Sequence, residues 1–138
     1  MTAPNFDTLS LGDEIPSLTL PPLTRHTLAV YCGASGDHNP LHVDFDFARA
    51  AGLDDVIAHG MLIMGYMGRT VTDWVPQTAL RSFNTRFLAM TKIGNQITCT
   101  ARIIEKLDAA KERRVRLAIT ACDQHGEVKA QGEAVVAL

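Results

Sequence analysis

The hydrophobic period of this chain changes once, near residue 79, and the change separates two kinds of structure. Beyond Ala79 apolar residues alternate with polar ones, as strands require when one face is buried. Phe83, Thr85, Phe87 and Ala89 share one face of the first such stretch. Ile97, Cys99, Ala101 and Ile103 form the second, and Val115, Leu117, Ile119 and Ala121 the third. Val128, Ala130, Ala134 and Val136 form the last. Reversals are expected at Lys92–Asn95, Asp108–Glu112 and Asp123–Gly126.

Before that point the signals are helical. Pro4, Pro16, Pro21 and Pro22 limit helix in residues 1–23, leaving Ser17–Leu20 as a short strand. Thr24 is placed to cap a helix running to Ser35 and ended by Gly36, and Asp44 to cap a short one through Ala51 closed by Gly52. The run His59–Trp74 is apolar on nearly all sides at first, so a helix buried all round is expected, with Gly65 and Gly68 admitting close neighbours. Helices followed by antiparallel strands predict an α+β fold, a sheet wrapped around one buried helix.

At 138 residues the chain has room for a single domain, 1–138, with a core that needs no disulfides. A net charge of −2 with 46% hydrophobic residues excludes disorder and a basic nucleic-acid-binding tail. No nucleic-acid partner is expected. The stretch Met61–Met67 falls short of the roughly 20 apolar residues a membrane span needs. Cys32, Cys99 and Cys122 are odd in number with no C-x-x-C spacing, so neither a disulfide framework nor a zinc knuckle is expected. With no basic stretch followed by an apolar run at the N-terminus, a cytoplasmic protein is expected. Residues 1–69 carry 3 basic and 8 acidic groups, residues 70–138 carry 10 and 7. The basic cluster Lys111–Arg116 reads either as a solvated strand edge or as a contact for the acidic or phosphate groups of a partner.

Chemistry concentrates in the string GASGDHNPLH. Pro40 stiffens a loop that carries two titratable groups, Asp37 and His42, and neither helical nor strand periodicity sets their directions. Such a pair suits adding or removing water across a double bond: one group takes a proton from water while the other manages the proton at the neighbouring carbon. Asn39 orients the loop or holds the water. At the start of the apolar helix, His59-Gly60-Met61 offers free backbone amides and the positive end of the helix dipole to a developing oxyanion. Gly60 lets a thioester carbonyl approach its N–H. His59 reads more readily as a support for the loop than as a catalyst, and Met61, Met64 and Met67 as core or acyl-pocket lining. Asp37, His38, His42 and His59 raise the question of a metal, but Pro40 blocks a helical His38–His42 pair and no cysteine supports one, so none is expected.

The string Tyr31 to His42, followed by Ile57-Ala58-His59-Gly60-Met61 and Arg86-Phe87, resembles the signature of the MaoC-like (R)-specific enoyl-thioester hydratases over nearly the whole chain. The resemblance implies a hot-dog fold and a homodimer or a heterodimer with a related hot-dog chain. It implies hydration of trans-2-enoyl thioesters, or dehydration of (R)-3-hydroxyacyl thioesters in reverse. Asp37 and His42 then form the catalytic pair and the Gly60 amide holds the thioester oxygen, with Asn39, His59, Met61 and Met64 toward the substrate. No metal or redox cofactor is implied, because coenzyme A or phosphopantetheine belongs to the substrate; acyl carrier protein is an implied partner. The chain departs from the family pattern at Met90 and Gly94-Asn95, where Pro and Gly-Asp are common, which bears on loop shape and substrate contacts. Alternative readings are a partner-dependent subunit and a non-catalytic thioester-binding module. A hot-dog thioesterase fits less well, since the helix start carries no acid.

Overall fold

In the computed structural model, which describes residues 4–109 and 111–138, both caps expected around the first helix are in place. Thr24 is extended and its side chain accepts the Thr27 N–H, starting α1 (Arg25–Ser35). Gly36 closes it in the left-handed region at φ 74°, a conformation that favours glycine, with its N–H on Cys32 O. Asp44 caps α2 (Phe45–Ala50) through the Phe47 N–H. The short strand β1 covers Leu18–Thr19.

The apolar helix, α3, spans Gly60–Thr72, so it begins one residue later and ends two earlier than the apolar run. It is buried on one side, through Leu62, Ile63, Met67, Thr70 and Val71. The expectation of burial all round is therefore corrected: Met61 is 54% exposed, and Gly65, Arg69 and Thr72 continue the same exposed stripe. The physical reason is that the sheet curls around only part of the helix circumference, and apolar composition alone does not say how far a sheet wraps.

That sheet contains β2 (Leu80–Phe87), β3 (Thr98–Ala109), β4 (Glu112–Cys122) and β5 (Val128–Ala137), in the antiparallel order β1-β3-β4-β5-β2. Its inner face follows the alternation read from the sequence. Ala101 faces Ile119 and Ile103 faces Leu117 across β3–β4, and Leu117 faces Ala134 across β4–β5, all at most 2% exposed. Burying each Leu or Ile of this wall is worth about 1.5–3 kcal/mol. Ala101, Ala121, Ala130 and Ala134 keep the middle of the wall shallow where α3 packs across it. Gly132 has a separate reason to be glycine: a Cβ there would sit 1.9 Å from the Asn84 carbonyl oxygen of β2.

The first alternating stretch needs a second correction. Phe83 and Thr85 are half-buried, but β2 stops at Phe87, whose side belongs to the open rim, at 50% exposure. Beyond it the Leu88 and Ala89 N–H groups turn onto Lys129 O, and Lys92 pairs with Ile57 in an isolated bridge. The reversal expected at Asp108–Glu112 includes Ala110, which lies outside the described residues; β3 and β4 are paired up to Ala109 and Glu112. Among the described residues no helix is long and apolar enough to cross a membrane.

Candidate active site

Three polar side chains one step apart build the loop that follows α1. The Asp37 N–H donates to Ser35 Oγ (3.1 Å), the Asn39 N–H to Asp37 Oδ1 (3.2 Å), and the Leu41 N–H to Asn39 Oδ1 (3.1 Å). This staircase of side-chain turns leads into a single 3-10 turn, Pro40–His42, for which Pro40 supplies the preset φ. His42 is thereby delivered against the segment before α3. The Ile57 N–H donates to Leu41 O at 3.2 Å, and His42 Nδ1 meets Ile57 O at 2.7 Å. A carbonyl only accepts, so Nδ1 carries the proton and Nε2 is the nitrogen left for chemistry.

His59 lies under this arrangement, completely buried. Its Nε2–H donates to the backbone carbonyl of Asp37 at 3.1 Å. Its ring stacks on His42, with centroids 3.9 Å apart and planes inclined by 29°, and Tyr31 meets it edge-on at 4.7 Å. Burial pushes its pKa below the ordinary histidine value, with the Asp37 hydrogen bond opposing, so near neutral pH this ring is uncharged. One ligand-type atom from each of Asp37, His42 and His59 lies within 4.8 Å of the others. For a metal the set is poorly arranged, because lone pairs lie in the ring planes and planes stacked at this angle do not meet within a bond length of either ring. As an acid–base set it fits: a carboxylate and an imidazole side by side, with a neutral ring beneath.

The reactive side opens into a cavity of about 420 Å³, lined by His42 and Gly60 and by apolar Ile63, Phe87, Leu88 and Met90. Gly60 is the first residue of α3, where helix amides lack an intrahelical partner, and a Cβ on it would come within 3.3 Å of the Phe87 ring. A second cavity of about 380 Å³ shares Ile57 and Met90 with the first. Another concavity, of about 520 Å³, lies around Gly132 among Asn84, Arg86 and Gln131 and contains none of these groups.

Of the residues singled out in the sequence, Asp37, His42 and His59 are brought together, and Gly60 shares a cavity with His42. Asn39 is spent on the Leu41 amide. Met61 and Met64 do not line the cavity; Met61 lies on the exposed stripe of α3 and Met64 is half-buried. Sequence reasoning missed Ile63, Thr91 and Lys129 in the wall. Ile63 was legible, one helical turn past Gly60. Lys129 was not, since its burial rests on an ion pair with Asp123 across the β4–β5 turn, at 3.3 Å with both side chains nearly sealed. The basic cluster lies at the start of β4, between β3 and β5, with its arginines in ion pairs: Arg113 with Asp7, Arg114 with Glu112, and Arg116 with Glu105 and Glu133.

Comparison with known proteins gives the chain a family and a fold. The MaoC-like domain matches residues 13–124. The (R)-specific enoyl-CoA hydratase of Rhodospirillum rubrum is 29% identical over 116 residues, covering 83% of this chain and 78% of that protein. The mitochondrial 3-hydroxyacyl-[acyl-carrier-protein] dehydratase of Arabidopsis thaliana is 29% identical over 131 residues, covering 94% and 78%. The structure of R-hydratase PhaJ1 from Pseudomonas aeruginosa in the unliganded form superposes with a TM-score of 0.83 at 27% identity, over 96% of this chain and 84% of that one.

Proposed function

The chain belongs to the MaoC-like domain family, with the hot-dog fold and a membership that includes hydratases and dehydratases, and from this we propose that it hydrates trans-2-enoyl thioesters to (R)-3-hydroxyacyl thioesters and catalyses the reverse dehydration. One observation carries the reading. His42, whose Nδ1 is taken by Ile57 O, and Gly60, the first residue of α3, line the same cavity, and an Asp37 carboxylate oxygen lies within 4.8 Å of a His42 ring nitrogen.

In the hydration direction Asp37 takes a proton from a water that His42 Nε2 holds, and the water oxygen bonds to carbon 3. The carbon 2–carbon 3 π pair moves toward the thioester oxygen, where the Gly60 N–H stabilises the developing enolate; a donor of this kind contributes about 3–4 kcal/mol. The enolate then collapses and carbon 2 takes back a proton from the Asp37–His42 pair, so the site ends in its starting state. The acyl chain lies along Ile63, Phe87, Leu88 and Met90. No metal or redox group enters these steps; coenzyme A, or the phosphopantetheine of a carrier protein, arrives as part of the substrate.

The cavity's rim supports pairing with a second copy or a related hot-dog chain. Phe87, Leu88 and Met90 of its lining are each about half exposed, and β2 is an open sheet edge in the single chain.

The test is loss of the enoyl-thioester ultraviolet absorbance when the purified protein meets crotonyl-coenzyme A. Rapid loss is expected for the wild type, with a drop of roughly 10³-fold in Asp37→Asn and His42→Ala. Folded wild-type protein that leaves crotonyl and longer enoyl thioesters intact overturns the reading of this chain as a self-sufficient hydratase. If adding a related hot-dog chain then restored turnover, the chain would be one half of a heterodimeric enzyme.

A further inference from the structure

We propose that His59 is a positioning residue: it acts as a flat hydrogen-bond donor that holds the Asp37 backbone and the His42 ring in register while never touching substrate. The proposal rests on the reading of Asp37 and His42 as the acid–base pair. His59 is fully buried, whereas Asp37 is exposed and His42 half-buried, so those two can meet a substrate and His59 cannot. Two of its contacts nonetheless go to the two catalytic residues, the Nε2–H to the Asp37 carbonyl at 3.1 Å and the ring face to His42 at 3.9 Å.

The cost of the residue sharpens the argument. With the proton on Nε2, Nδ1 is an acceptor, and it is buried with no partner. A buried polar atom left unpaired destabilises a fold, and a hydrocarbon of similar shape avoids that. Phenylalanine would supply the disc for His42 and the edge contact for Tyr31 but no N–H for Asp37. Glutamine would supply an N–H but no disc. Histidine supplies both in one side chain of this size, at the expense of the orphaned nitrogen. The clamp matters because the Asp37 end of the loop is otherwise held by short local bonds among exposed groups, the long-range bonds to Ile57 falling at Leu41 and His42. A displacement of about 1 Å in such a pair can cost about a hundredfold in rate.

The experiment compares His59→Phe and His59→Gln with wild type by kcat, KM, melting temperature and amide hydrogen exchange. In both variants kcat is expected to fall about ten- to a hundredfold with KM within about threefold. His59→Phe is expected to melt no lower than wild type, since it removes the unpaired atom. Exchange at the Leu41 and His42 amides is expected to quicken about tenfold or more in His59→Phe. A kcat within twofold of wild type in either variant overturns the proposal, as does a loss explained by lower melting temperature or by KM alone. Should wild type show no turnover at all, the proposed hydratase fails separately and exchange decides: unchanged Leu41 and His42 amides then overturn the positioning role.

Discussion

Between Ser35 and His42 the chain is held by its own side chains, whereas between Val115 and Ala121 it is held by its neighbours. In the loop, Ser35, Asp37 and Asn39 each take a backbone N–H two residues on, all among exposed groups, and long-range anchorage comes through Ile57 and His59. In the β4 wall, ladders run to β3 on one side and β5 on the other, and every second side chain is sealed. The loop can therefore present titratable groups in an unrepeated geometry, and the wall can absorb packing energy in a repeated one. The residues proposed to be catalytic sit on the segment with little stability of its own and borrow rigidity from a few contacts to the rest of the fold.

The largest effect that separates the two regions is expected from Gly132→Ala. A Cβ placed 1.9 Å from the Asn84 carbonyl forces β2 away from β5, so the melting temperature should fall by about 10 °C or more. Activity should fall only as folded protein is lost; an unchanged melting curve would mean that the wall yields as readily as the loop. Asn39→Ala should do the reverse. Loss of the Leu41 cap is expected to lower kcat about tenfold while the melting temperature moves by less than about 3 °C. If stability drops and kcat holds, the loop is a structural element after all.

The smallest effect is a pH dependence of stability carried by His59. Burial, foremost, sets its pKa in the folded protein below that of the unfolded chain; the groups facing it are His42, Tyr31 and the Asp37 carbonyl. As pH falls below about 6.5 the unfolded state binds the proton first, so stability present above that value is lost until the folded pKa is passed. The melting temperature of His59→Phe minus that of wild type should therefore grow between pH 7.5 and 5. A constant difference would mean that the buried ring takes up its proton as easily as a free one.

Much of this comparison was already readable in the chain, because its causes are local. Caps at Thr24 and Asp44, the turn glycine at Gly36 and the period-two stretches of β3, β4 and β5 are each decided within a few residues. Gly-Asp-His-Asn-Pro-Leu-His was legible for the same reason, since proline and short polar side chains specify their own turns. Long-range decisions were not. The exposure of Met61 and Phe87 depends on how far the sheet curls around α3, and the burial of Lys129 on its pairing with Asp123.

The sequence by itself determined that one helix would face an antiparallel sheet and that Asp37 and His42 would share a stiff loop. Periodicity and turn chemistry act over a handful of bonds, so they survive being read in one dimension. Only the tertiary structure decided which nitrogen of His42 is free, that Gly60 lines one cavity with it, and that His59 lies sealed beneath Asp37 and His42. Those are relations between segments some 20 residues apart, set by packing geometry that no local pattern encodes.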